Sequence, residues 1–109
     1  MEDYLEEVKE IIKKYQKEDI QYGKPIEFIL SRINTTKNII EREIFNFENL
    51  EFIEKQYRKG EIRYVLYFIY SKKRGRVYVI TFNGKLTIIT IYPLGKKTLR
   101  KYHKKRFKN

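Results

Sequence analysis

Arg63 is the side chain whose type and surroundings in this sequence best suit phosphate chemistry. It is the one charged residue in the otherwise apolar and aromatic stretch 62–70. A guanidinium held on a rigid strand can grip a phosphate with two hydrogen bonds and stabilise the charge of its transition state without a metal ion. A salt bridge to Glu61, Glu51 or Glu54, or simple exposure, would explain Arg63 equally well.

Thr90, Arg100 and His103 complete the set of candidate catalytic side chains. Thr90 interrupts the apolar run 86–91, and Arg100 flanks the end of the predicted sheet. His103 is the only histidine, and histidine is the side chain that most readily transfers a proton near neutral pH. On a helix it would lie between Leu99 and Phe107 on the apolar side, which favours a packing or hydrogen-bonding role.

The C-terminal run GKKTLRKYHKKRFKN concentrates positive charge. On a helix its lysines at 97, 101, 104 and 108 would form one continuous face, whose mutual repulsion a bound phosphate backbone would relieve. A solvated basic end is the alternative. With the basic loop 71–75, this run gives a predicted nucleic-acid-binding set: Lys72, Lys73, Arg74, Arg76, Lys96, Lys97, Lys101, Tyr102, Lys104, Lys105 and Arg106.

Charge is segregated along the chain. Residues 1–61 hold all fourteen acidic residues and eleven Lys and Arg, whereas residues 62–109 hold fourteen Lys and Arg and no acid. Clustered basic charge is the electrostatic footprint of a polyanion site. Solubility, or the Lys, Glu and Ile usage of a thermophile, is the plainer alternative. Tyr64, Tyr67, Tyr70 and Tyr78 offer either a stacking platform for unpaired bases or ordinary strand packing.

Length and composition exclude several classes of protein. One hundred and nine residues fit a single domain, with 1–24 as a helical extension, 25–109 as the core and 96–109 as a basic tail. No cysteine and one histidine provide no metal site, so we expect neither metal nor cofactor. The absence of a long apolar stretch or signal peptide predicts a cytoplasmic protein without membrane contact. Walker, HExxH and GxSxG motifs are also absent.

Helices are predicted in the first 45 residues. Apolar residues at spacings of three and four predict a helix over 3–18. Pro25 suits the first turn of a second helix that ends near Asn34. Thr35 or Thr36 can cap a short third helix, with three isoleucines directed inward: Ile39, Ile40 and Ile44.

From residue 50 the apolar period changes to two, which predicts strands over 50–57, 61–70 and 76–82 and a fourth that Pro93 closes. The Asn83-Gly84 pair predicts a two-residue type I′ turn. That turn pairs Thr81 with Leu86, Val79 with Ile88 and Val77 with Thr90. The predicted fold is therefore α+β, with about three N-terminal helices, a four-stranded antiparallel sheet and a short basic C-terminal helix over 98–107.

Both faces of this predicted sheet are apolar, so a single covering layer leaves one face to be covered by something else. The C-terminal helix, a homodimer partner, a protein inhibitor and stacked bases are the candidates. One face carries Val77, Val79, Leu86 and Ile88, and the other Tyr78, Ile80, Phe82, Ile89 and Ile91.

The order of elements, the size and the charge resemble the RelE/ParE-like toxins and the wider barnase, EndoU and colicin-type group of metal-free ribonucleases. The resemblance covers roughly residues 25–105 and includes RYVLYFIYSKKRGRVYVITFNGKLTIITIYPLGKKT and the tail segment KLTIITIYPLGKKTLRKY. It implies a toxin of a toxin–antitoxin system that cleaves RNA. By position it assigns roles to Arg63 and Thr90 on strands, and to Lys97, Arg100, Tyr102 or His103 in the tail.

The implied reaction is attack of a ribose 2′-hydroxyl on its adjacent phosphate, giving a cyclic phosphate and a free 5′-hydroxyl. Arg63 or Arg100 would be the clamp, His103 or a lysine the proton carrier, and Thr90 an orienting hydrogen-bonder. RNA, free or on the ribosome, and an acidic antitoxin peptide are the implied partners. A non-catalytic RNA- or DNA-binding module is the main alternative, and a protein-interaction domain with an acidic partner is a third.

Overall fold

A computed structural model describes residues 4–72 and 74–95 of the chain. Within these ranges, three α-helices and five strands follow one another in the order α1, β1, α2, α3, β2, β3, β4, β5. The helices are α1 (Leu5–Ile12), α2 (Ile26–Arg32) and α3 (Lys37–Phe45). The strands are β1 (Ile20–Tyr22), β2 (Leu50–Arg58), β3 (Glu61–Ile69), β4 (Gly75–Phe82) and β5 (Leu86–Pro93).

The sheet has five strands in the order β1-β5-β4-β3-β2, and it is mixed. The prediction of a four-stranded antiparallel sheet was wrong because β1 adds an edge strand parallel to β5. Three residues are too few to show a period of two, so no strand was predicted at this position. Gly23, directly after β1, allows the chain to lie close to β5. Its amide donates to the Ile88 carbonyl at 2.8 Å, and a Cβ on it would lie 3.1 Å from the Ile89 carbonyl oxygen. The predicted C-terminal helix lies outside the described residues.

The three predicted helices exist, and the first is shorter than its apolar repeat suggested. α1 ends at Ile12 instead of reaching residue 18. Thr36, one of the two predicted caps, accepts a hydrogen bond from the Ile39 amide at 3.4 Å. Ile39 itself is 40 % exposed, so its predicted inward orientation was wrong, whereas Ile40 and Ile44 are fully buried.

The predicted register of the β4–β5 hairpin was wrong by one residue near the turn. Phe82 pairs with Leu86 and Thr81 with Thr87, which leaves a three-residue connection. A bulge beyond Ile80 then pairs Val79 with Thr90. A two-residue turn with positive φ at both positions occurs instead between β2 and β3, at Lys59 (φ 52°) and Gly60 (φ 76°).

This register decides which side chains share a face of the sheet. Leu86 and Ile88 lie with Tyr78 and Ile80 in the main core, under the helices, and not with Val77 as predicted. The helix-covered face also buries six helical residues: Val8, Ile12, Ile26, Leu30, Ile40 and Ile44. The opposite face, called the second face below, holds a smaller cluster of Val65, Ile69, Val77, Val79 and Leu94.

Candidate nucleic-acid interface

The β3–β4 loop displays two of the predicted phosphate-binding residues, Lys72 and Arg74. The amides of Tyr70 and Ser71 both donate to the Arg74 carbonyl, at 3.0 and 3.2 Å, and the Arg74 amide donates to the Ser71 hydroxyl oxygen at 3.1 Å. These bonds hold Tyr70, Ser71 and Arg74 together at this end of the sheet, and the side chains of Lys72 and Arg74 are both exposed. Neither side chain forms an ion pair with a carboxylate of the described residues.

The chain enters its basic C-terminal run from this same end of the sheet. The Leu94 amide donates to the Gly75 carbonyl at 2.9 Å, and the Leu94 side chain packs on the second face. A Cβ on Gly75 would meet Leu94 Cδ1 at 2.6 Å and the Phe68 carbonyl oxygen at 3.0 Å, so the glycine allows this close approach. The remaining candidates lie outside the described residues: Lys73, Lys96, Lys97, Arg100, Lys101, Tyr102, His103, Lys104, Lys105 and Arg106.

Arg76 is close to the loop in sequence, and its side chain is engaged elsewhere. It is on the helix-covered face, where its guanidinium lies 3.2 Å from the Glu43 carboxylate on α3. The same carboxylate accepts a short hydrogen bond from the hydroxyl of Tyr78, which is fully buried. Burial raises the pKa of Tyr78, and the adjacent Glu43 charge raises it further. A phosphate would have to compete with Glu43 for Arg76.

Arg63 lies far from the loop. Its Nε is 2.9 Å from a Glu61 carboxylate oxygen, which is one of the alternatives left open by the sequence. Six residues separate Arg63 from Ile69 along β3, which corresponds to about 20 Å of strand. Thr90 shares the second face with Arg63, but β4 separates their strands. The structure therefore does not bring Arg63 together with Lys72 and Arg74.

The four tyrosines predicted as a stacking platform have different environments. Tyr64 and Tyr78 are buried in the core, and the Tyr67 hydroxyl donates a short hydrogen bond to Glu54. Tyr70 is 39 % exposed and adjoins the basic loop. Of the four, Tyr70 is the one best placed for stacking on a base that contacts Lys72 or Arg74.

Two more exposed tyrosines were missed in the sequence. Tyr57 is 71 % exposed beside the Lys59-Gly60 turn, and Tyr92 is 43 % exposed next to Pro93 at the end of β5. Both are at strand ends, next to turn or terminating residues. Their proximity to Gly60 and Pro93 was the signal that could have identified them.

Within residues 4–72 and 74–95, no three His, Cys, Asp or Glu side chains are grouped to hold a metal ion. No helix among the described residues is long and apolar enough to cross a bilayer. A scan of protein-family models and searches of curated proteins and of solved structures each found no match to this chain.

Proposed function

We propose that this protein binds single-stranded RNA at the end of the sheet that carries the β3–β4 loop. The observation that supports the proposal best is the presence of Tyr70, Lys72 and Arg74 on one exposed turn. The hydrogen bond between Leu94 and Gly75 brings the end of β5 beside that turn. Eight of the last fourteen residues of the chain are Lys or Arg.

The chemistry of this surface suits an unpaired strand. Lysine and arginine contact phosphates independently of sequence, and an exposed tyrosine stacks on any base. Double-stranded nucleic acid hides its base faces, whereas single-stranded RNA presents them. With RNA as the ligand, we propose a cytoplasmic location for the protein.

Fluorescence anisotropy with labelled single-stranded RNA and its DNA counterpart, at four salt concentrations, tests this proposal. We expect the affinity for RNA to fall steeply with salt. Lys72→Gln and Arg74→Gln should each weaken binding and reduce the slope of log K against log salt by about 0.7 to 1. Tyr70→Leu should weaken binding without changing the slope, because it removes stacking and no charge.

Lys24→Gln is the matched control, since it removes one exposed lysine at the start of α2, away from the loop. Its RNA affinity should stay within a factor of about two of wild type. Absence of binding at low salt would overturn the RNA proposal. So would loop variants that bind no more weakly than Lys24→Gln.

A toxin-type, metal-free endoribonuclease is the second candidate, and one observation favours it. Arg63 and Thr90 share the second face, and the Arg63 side chain is only partly covered, with 28 % of its surface exposed. A scissile phosphate could replace Glu61 as the partner of the guanidinium. An acidic antitoxin peptide, the ribosome and a second copy of the chain are the partners that this candidate implies.

Denaturing gels of the same RNA, incubated with the protein in EDTA, test for cleavage. We expect wild type to release a cyclic phosphate and a 5′-hydroxyl end, and Arg63→Ala to bind RNA and leave it intact. Equal cleavage rates for wild type and Arg63→Ala would exclude Arg63 as the clamp. Intact RNA in every lane, with or without ribosomes, would overturn the ribonuclease candidate and leave the binding proposal standing.

A further inference from the structure

A cleft of about 650 Å³ lies between the segment after α1 and one side of α3. Its aromatic walls are Tyr15 and Phe45, both half-buried. Tyr15 stacks on Phe82, with ring centroids 5.6 Å apart and an interplanar angle of 12°. Because this contact fixes the orientation of the Tyr15 ring, the cleft presents a pre-oriented aromatic surface.

The rim of the cleft is polar and carries two positive charges. Lys17 comes from the segment after α1, and Arg42 comes from α3. Both side chains are exposed, and neither forms an ion pair with a carboxylate of the described residues. Gln16 and Asn38 add amide groups, which can donate and accept hydrogen bonds at the same time.

Among the described residues that line the cleft, Glu41 is the one carboxylate. Its oxygen accepts a hydrogen bond from the Tyr22 hydroxyl at 3.2 Å. Burial and the Glu41 charge both raise the pKa of Tyr22, so this hydroxyl keeps its proton and continues to donate. The remaining lone pairs of Glu41 can accept a hydrogen bond from an amino group in the cleft.

We propose that this cleft binds a nucleotide, with the base against Tyr15 and Phe45 and the phosphate between Lys17 and Arg42. The cleft is open to solvent, and its volume lies within the range of about 300 to 1,000 Å³ spanned by small-molecule sites. Glu41 favours bases that carry an exocyclic amino group, which are adenine, cytosine and guanine, over uracil.

The cleft is distinct from the interface proposed for RNA. Tyr15 contacts Phe82 at the last residue of β4, whereas the β3–β4 loop joins that strand at Gly75. Seven residues of strand separate these two points, or about 23 Å. The two sites can therefore be disabled independently.

Isothermal titration calorimetry of the full chain with AMP, CMP, GMP and UMP, in EDTA, tests the proposal. We expect saturable binding, with UMP the weakest ligand. The double variant Lys17→Gln/Arg42→Gln should weaken AMP binding about tenfold or more, because it removes two exposed charged contacts with the phosphate that together contribute about 1.4 kcal/mol or more. Adenosine, which lacks the phosphate, should bind wild type and the double variant equally.

Lys24→Gln/Arg32→Gln is the matched control, since it removes one exposed lysine and one exposed arginine from outside the cleft. Circular dichroism verifies that each variant is folded. No saturable binding of any mononucleotide would overturn the proposal. Equal weakening by the control, or inorganic phosphate binding as tightly as AMP, would also overturn it.

Two further measurements test whether the cleft is a separate site and whether its ligand is a free nucleotide or part of an RNA strand. The double variant Lys72→Gln/Arg74→Gln should bind AMP as tightly as wild type even if it no longer binds RNA. If it loses both AMP binding and RNA binding, the cleft is not a separate site. A tetranucleotide that binds the cleft more tightly than AMP would identify the ligand as one nucleotide of an RNA strand. A mononucleotide that binds as tightly as the tetranucleotide would identify a free nucleotide.

Discussion

Glu43 holds together two polar groups that lie under the helical layer. Its carboxylate accepts hydrogen bonds from the hydroxyl of Tyr78 and the guanidinium of Arg76. Tyr78 is fully buried, and the side chains of Arg76 and Glu43 are 20 % and 15 % exposed. Buried hydrogen-bond donors need an acceptor. Tyr78 and Arg76 both depend on the Glu43 carboxylate for theirs.

Glu43→Ala should therefore lower the free energy of unfolding by about 2 to 3 kcal/mol, because it leaves a buried hydroxyl and a mostly buried cation without their acceptor. Urea denaturation measures the change. Glu43→Gln should cost less, because the amide oxygen still accepts one hydrogen bond. Glu48→Ala, at an exposed site in the short turn after α3, is the control. A loss for Glu43→Ala no larger than that for Glu48→Ala would contradict this role.

The ion-pair partners of Arg63 and Arg76 differ in how far the sequence could predict them. The types of Arg63 and Arg76 are visible in the sequence, and a salt bridge from Arg63 to Glu61 was one of the predicted alternatives. Arg76 was predicted to contact phosphate, yet its partner Glu43 lies 33 residues away. A partner at that distance depends on how α3 lies across the sheet, which periodicity does not encode.

Two adjacent threonines at the start of α3 have different surroundings. The Thr36 hydroxyl caps the helix by accepting from Ile39, whereas the Thr35 hydroxyl is buried without a hydrogen-bond partner among the described residues. Thr36→Ala should destabilise the protein by about 1 kcal/mol. Thr35→Val should be neutral or stabilise by up to about 1 kcal/mol, because it removes a buried hydroxyl and keeps the shape. Thermal denaturation of both variants tests the pair, and a reversed order would contradict the assignment of the cap.

The contact between Gly75 and Leu94 joins the end of β5 to the start of β4. Gly75→Ala should cost about 1 to 3 kcal/mol, because the added methyl group overlaps Leu94 and the Phe68 carbonyl. Leu94→Ala should cost about 2 kcal/mol or more through lost burial. In the double variant the overlap with the leucine is relieved, so its loss should be smaller than the sum. Additive losses in urea denaturation would show that the two side chains do not conflict.

Strands were easier to predict than their pairing. The period of two located β2 to β5 to within about a residue, because alternation survives in a half-buried strand. The Asn83-Gly84 pair nevertheless misplaced the register, since Asn83 does not adopt positive φ and Lys85 joins the connection. The actual register buries Leu86 and Ile88 under the helices, and this gain outweighs the local preference of the turn. In the candidate site, the positive charge of the loop was predictable from the sequence. The exposure of the Tyr70 side chain could be determined only from the folded structure.

At the scale of the whole molecule, partly and fully buried tyrosines link stability to alkaline pH. Burial raises the pKa of Tyr22, Tyr67 and Tyr78 above the usual value of 10.0. Below pH 10 both the folded and the unfolded chain hold these protons. Above pH 10 the unfolded chain releases them and the folded chain does not, so the free energy of unfolding should fall as pH rises.

Urea denaturation between pH 8 and pH 11, with absorbance at 295 nm, tests this linkage. Tyr67→Phe removes one of the groups and should reduce the slope of stability against pH by up to about 1.4 kcal/mol per unit. Tyr57→Phe, which removes the hydroxyl of an exposed tyrosine, is the control substitution. Reversible ionisation of all ten tyrosines near pH 10 without unfolding would contradict the prediction.

The pairing of β1 with β5 affects how the protein folds as it is synthesised. Tyr22 leaves the ribosome 66 residues before its partner Ile88. At about 5 to 20 residues per second, this interval lasts roughly 3 to 13 seconds. During that time the helices have no completed sheet to pack on, so their apolar faces remain available to chaperones or to neighbouring nascent chains. β1, the first strand of the described residues, can take its place only after its partner β5 has been made.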